Sequence, residues 1–196
     1  MKSIRLKINP NFEIYALLWL SKQSEEELTY FLNKICKINI SKIVKGMHLT
    51  LYYGRRPLSV HSKAFKTQLF NIKANIDETR FMVFKPGGEN PKKNIVPSES
   101  SVGIRLTKRN KAIKPILELR RQIYKYEQPS LGGQKRSKTS DWINAYGSRH
   151  FQPHIKLIKP NNNLDYDLSI NGKLLRENLD YISFNKVEVI SRSKKR

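Results

Sequence analysis

Apolar positions along this chain recur with two periods, and the changes between them mark the elements. The run FEIYALLWL predicts a buried strand over Phe12–Leu20. Ser24 and Glu27 then form a capping box, and Leu28, Phe31, Leu32, Ile35 and Cys36 follow at helical spacing, so a helix is predicted with Cys36 on its apolar face. A short strand is expected over residues 38–44. The alternating stretch HLTLYY (residues 48–53) predicts another strand, closed by Gly54. Residues 62–72 fit a helix with Phe65, Leu69 and Ile72 on one side, and FMVF (81–84) fits a strand. The Pro- and Gly-bearing stretch 85–100 is predicted as a loop, followed by a strand over 102–106 (VGIRL). A further helix carries Pro115 near its first turn and buries Ile116, Leu119, Ile123 and Tyr126. The Gly/Ser-rich basic segment 128–141 has the profile of a mobile loop. Strands over 153–158 and 182–190 complete the chain before a basic tail, 191–196. Strands separate most of the helices, which indicates an α+β fold.

A chain of 196 residues is long enough to bury a core, as one domain or two small lobes packed together. Charge changes the picture more than size does. Lys and Arg number 38 against 16 Asp and Glu, a formal net charge of +22. A field of that size draws polyanions, nucleic acid first among them. Drift in an AT-rich genome enriches Lys, Asn and Ile, but it does not hold the acidic count so low. Cys36 is the only cysteine, which excludes a disulfide framework and a cysteine metal site. The apolar run 14–20 is too short to cross a bilayer and lacks a small-residue cleavage site, so a cytoplasmic protein with no membrane partner is expected.

Two histidines stand apart by their setting. Each opens an alternating stretch, GMHLTLYYG around His48 and FQPHIKLIK around His154. In a strand, His48, Thr50 and Tyr52 share one face, with Leu49 and Leu51 behind. His154 and Lys156 likewise share a face, with Ile155 and Leu157 behind. Each strand thus presents a histidine and a hydrogen-bond donor from an apolar backing. Phosphoryl transfer needs a base on the attacking oxygen, an acid on the leaving oxygen and donors to the charged equatorial oxygens. Histidine titrates at about 6.5, so a neutral and a protonated copy coexist near neutral pH. That chemistry calls for no metal and no cofactor.

Taken together, these residues resemble the two-histidine (2H) phosphoesterase superfamily, which includes the 2′-5′ RNA ligase-like and cyclic phosphodiesterase proteins. That family carries two H-x-[ST] motifs on opposing strands, the first often HLTL with a Gly beyond it, the second in the form F-x-PHITL-x-R. Here the first is intact from His48 to Leu51. The second runs from Phe151 through His154 to Leu157, with Lys156 in place of the second Thr or Ser and Lys159 where the family often has Arg. The order of elements outside the motifs is also similar. The resemblance implies a single two-lobed domain over 1–196, with two pseudo-symmetric α+β lobes whose antiparallel sheets form a central cleft. It implies catalysis by His48 and His154, with Thr50 and Lys156 steadying phosphoryl oxygens.

The expected substrate is RNA or an oligonucleotide carrying a 2′,3′-cyclic phosphate, a 2′-5′ linkage or a cyclic oligonucleotide bond. Tyr52 is a candidate to stack a base, and Arg149, Lys159, Lys135, Arg136 and Lys138 are candidates to hold substrate phosphates. His61 lies in a polar segment and reads as a surface residue. The spacing of His150 and His154 would suit a metal on a helix, but Pro153 between them and the strand setting argue against one. Two other readings stand beside the enzyme: an RNA-binding module whose second motif has lost turnover through Lys156, and a viral or phage enzyme that degrades cyclic oligonucleotide defence signals.

Overall fold

The computed structural model describes residues 12–54, 71–84, 101–125, 151–160 and 168–193. The predicted helix at 62–72 lies outside these except for its last two residues, of which Ile72 begins a strand. The predicted loops 85–100 and 128–141 lie outside them entirely, as do Tyr126 and residues 194–196.

Seven antiparallel strands form one curled sheet, a half-barrel. They are β1 (Phe12–Leu20), β2 (His48–Gly54), β3 (Ile72–Asn75), β4 (Thr79–Phe84), β5 (Ser101–Leu106), β6 (His154–Ile158) and β7 (Tyr181–Ser193), in the spatial order β3-β7-β1-β2-β6-β5-β4. The α+β expectation holds. One continuous sheet stands where two sheets were expected, and β2 pairs with β6 near its middle at Leu49↔Ile155. The strand expected over 38–44 is instead a 3-10 turn, Ile40–Lys42, because the Asn39 side chain accepts the Ser41 N–H at 2.9 Å and turns the chain. Only Ile43 of this segment bridges to the sheet, opposite Ile158. The basic tail begins later than expected, since residues 191–193 belong to β7.

Alternation sorts the sheet into two faces. Ala16, Leu18, Leu49, Ile104, Ile155 and Phe184 point into a core shared with the helices. Helix α1 (Lys22–Tyr30) starts one residue after β1 and continues through a π-turn, Phe31–Ile35, burying Leu28, Phe31 and Leu32. Its cap is Ser21, whose hydroxyl accepts the Ser24 N–H at 3.2 Å. Ser24, the residue expected to cap, is buried and accepts the Ser183 N–H at 2.9 Å, fastening the helix to β7. Helix α2 (Ile113–Lys125) lays Ile116, Leu119 and Ile123 against the same core behind β2. Helix α3 (Leu168–Asn178), which the sequence pattern did not predict, packs on β4. No helix among the described residues is long and apolar enough to cross a membrane.

Candidate active site

The seam of the sheet is also where the two histidine motifs meet. With Leu49 opposite Ile155 in an antiparallel pair, one step either way sets His48 beside Lys156 and Thr50 beside His154 on the open face. All four line one cavity of ≈ 270 Å³, walled further by Tyr15 and Leu17 of β1, Val44 and Ile190.

The same local device orients both imidazoles. His48 Nδ1 lies 2.8 Å from the Gly46 carbonyl, and His154 Nδ1 lies 2.6 Å from the Gln152 carbonyl, in each case two residues back. A carbonyl only accepts, so Nδ1 carries the proton in both rings, and Nε2 is the nitrogen without a proton when the ring is neutral. Gly46 is held in turn. Its φ of 68° lies in the left-handed region that favours glycine, and an added Cβ would come within 2.9 Å of the Trp19 ring. Its N–H donates to Glu25 Oε1 in the first turn of α1 at 2.5 Å. Aromatic rings back both histidines: Trp19 lies 5.0 Å from His48 and Phe84 lies 4.4 Å from His154, centroid to centroid.

Burial pushes the His154 pKa below the ordinary 6.5. The hydrogen bond to the Gln152 carbonyl raises it, while the neighbouring charges of Lys156, His48 and Arg105 lower it further. Arg105 was not singled out in the sequence. The β5–β6 register places it directly opposite His154, and its Nη1 donates to Gln152 Oε1 at 2.9 Å. Two residues before it on β5, an added Cβ at Gly103 would collide with the Ile155 carbonyl oxygen, so the close approach of β5 to β6 requires glycine.

Tyr52 does not join the cleft. Leu17 pairs with Thr50 but Ala16 pairs with Tyr52, so β2 carries one extra residue, Leu51, at a bulge. Parity shifts there, and Tyr52 is buried at 2% exposure in the core, beside Leu51 and Leu49. The register position opposite Tyr15 passes to Tyr53. Behind the bulge, the guanidinium of Arg120 on α2 donates from Nη1 to the Leu51 carbonyl at 2.6 Å. It also lies 4.1 Å from the centre of the Phe151 ring in the second motif. Arg120, itself 2% exposed, therefore ties both motifs together from the core side.

Lys159 lies past the end of β6. Its ammonium donates to the Ser41 carbonyl at 2.8 Å, and its N–H to the Lys42 carbonyl at 2.8 Å, so it fastens β6 to the 3-10 turn rather than lining the cleft. Arg149, Lys135, Arg136 and Lys138 lie outside the described residues, as do His61 and His150. Cys36 packs half-buried against the core, and burial raises its thiol pKa.

No protein-family model matches this chain, and no curated protein matches it. Among solved structures, Usb1 of Kluyveromyces marxianus aligns over 96% of this chain and 97% of its own, with 11% sequence identity and a TM-score of 0.42.

Proposed function

We propose that this chain is a phosphodiesterase of the two-histidine type, acting on RNA or oligonucleotides by acid–base catalysis without need of a metal. One observation carries the reading. Two histidines far apart in sequence line one cavity from adjacent strands, each with Nδ1 bound to a carbonyl two residues back. A core histidine needs no such symmetry, whereas a reacting pair needs both Nε2 atoms presented to one phosphate.

The fields divide the labour. His154 is held toward its neutral form by burial and by surrounding positive charge, which suits the general base. It takes the proton from the attacking water or ribose hydroxyl. His48 is then the acid that protonates the leaving oxygen. Thr50 Oγ1 and Lys156 Nζ donate to the non-bridging oxygens, where charge builds in the transition state. Lysine in place of a second Thr or Ser supplies a full positive charge on a longer arm.

Turnover on a panel of 2′,3′-cyclic, 2′-5′, 3′-5′ and cyclic oligonucleotide substrates tests the proposal. His48→Ala and His154→Ala should each lower kcat by about 10²–10⁴ while RNA binding persists. The double variant should lose less than the product of the two, because groups acting as a unit are not removed twice. No turnover across the panel, with RNA binding intact, would make the chain a binding module instead.

A further inference from the structure

The open face of the sheet is charged unevenly. On the β7 side, Lys186 Nζ lies 3.4 Å from Glu188 Oε2, so a cation there has its acid. On the far side of the histidines the balance fails. Arg80 of β4 pairs directly with Arg105 of β5, and Arg105 pairs directly with His154. The three side chains share one face, since their neighbours Phe81, Ile104 and Ile155 pack against or within the core. Arg80 is exposed and Arg105 half-buried.

Like charges set directly opposite weaken a strand pair, and sheets ordinarily oppose unlike charges there. Among the described residues no ion pair takes in Arg80, Arg105 or Lys156. The hydrogen bond described for Arg105 goes to a neutral amide oxygen, that of Gln152. An arrangement that works against folding, and that no acid among the described residues offsets, points to a place built for a ligand. The ligand must be anionic, and two guanidinium forks match phosphate oxygens in pairs. Neighbouring strands lie about 4.8 Å apart, so β4 is roughly 10 Å from β6. Long Arg side chains cover the ground between the scissile position and the next charge along a strand.

We propose that Arg80 and Arg105 form a second phosphate subsite, which takes the phosphodiester neighbouring the one held between His48 and His154. The inference rests on the phosphodiesterase reading and narrows its substrate. A mononucleotide leaves the subsite empty, whereas an oligonucleotide strand running from the histidines toward the β4 edge fills it. Lys186 and Glu188 offer no equivalent on the opposite side, because each already has the other.

The test uses whichever linkage the protein turns over, in an oligonucleotide whose neighbouring phosphodiester is replaced by a neutral methylphosphonate, on each side in turn. On one side the replacement should lower kcat/KM by roughly tenfold or more, the scale of a charged hydrogen bond lost. In Arg80→Gln and Arg105→Gln that preference for the charged substrate should collapse toward one. Equal kcat/KM for charged and neutral substrates on both sides would overturn the subsite, as would a preference that survives in both variants. Absence of turnover on every linkage would sink the phosphodiesterase reading alone. The subsite is then read by the affinity of the same charged and neutral oligonucleotides, where the same preference and the same collapse are expected. Equal affinities would overturn it.

Discussion

At the scale of single residues, the second motif turns on Lys156. A Thr there would donate a hydrogen bond and leave the charge of its neighbour alone, whereas Lys156 presses on His154 as well as on the substrate. The sign of the effect is fixed. Burial, Lys156, His48 and Arg105 all favour neutral imidazole, so the base form persists to lower pH than in a free histidine. The acid limb of kcat/KM against pH should therefore rise through a value below 6.5. In Lys156→Thr one of the lowering charges is gone, and that limb should move up toward the ordinary imidazole value. A limb that stays in place would assign it to a group other than His154. If kcat in this variant holds, the lysine is a tolerated replacement for the hydroxyl. If it collapses, the lysine is a phosphate ligand that this protein's substrate requires.

At the scale of elements, the bulge in β2 and the helix behind it decide how the motifs meet. The extra residue Leu51 frees a carbonyl from the ladder, and Arg120 supplies its donor from α2. Arg120→Met keeps the length of the side chain but leaves that buried carbonyl without this donor. It should cost about 1–3 kcal/mol in chemical denaturation, the penalty of an unmet buried group. Because the same guanidinium lies on Phe151, loosening it should also lower kcat more than it raises KM. A stability loss with unchanged kcat would confine Arg120 to the core. The bulge also shows where legibility in the sequence ends. The strands bearing His48 and His154 could be read because alternation and turn residues are local signals, and Leu49 and Ile155 do back them from the core. Tyr52 could not be read, since one inserted residue reverses parity and nothing in LTLYY marks it. The cap is Ser21 rather than Ser24, and both hydroxyls also bond Ser183 of β7, a contact distant in sequence that no local pattern announces. Arg105 and Arg120 stayed hidden for the same reason: their partners are set by strand pairing and helix packing across the molecule. Helix α3 was missed because Gly172 breaks its apolar period, although that glycine lies against Phe81 in the fold.

At the scale of the whole molecule, the net charge of +22 and the local row of cations make separable demands on a ligand. Each phosphate neutralised on a single strand releases counterions and contributes a slope of about −0.7 to log affinity against log salt. The scissile position and the Arg80–Arg105 subsite together account for two phosphates, or a slope of about −1.4. A slope near that value, measured with an oligonucleotide long enough to pass beyond the cleft, would mean that contact is confined to the described face. The excess of Lys and Arg would then serve only the long-range field that speeds encounter. A steeper slope is expected, because the charge greatly exceeds what the cleft uses and the segment 128–141 alone carries Lys135, Arg136 and Lys138. Replacing those three by Gln should make the slope shallower by up to about 2 and weaken all RNA sequences alike, while the pH dependence of turnover stays where His154 sets it. A slope near zero would leave the charge as a matter of composition and the ligand as a small one. Comparing the triple variant with Arg80→Gln then separates the two scales, since only the latter should erase discrimination between charged and neutral neighbouring linkages.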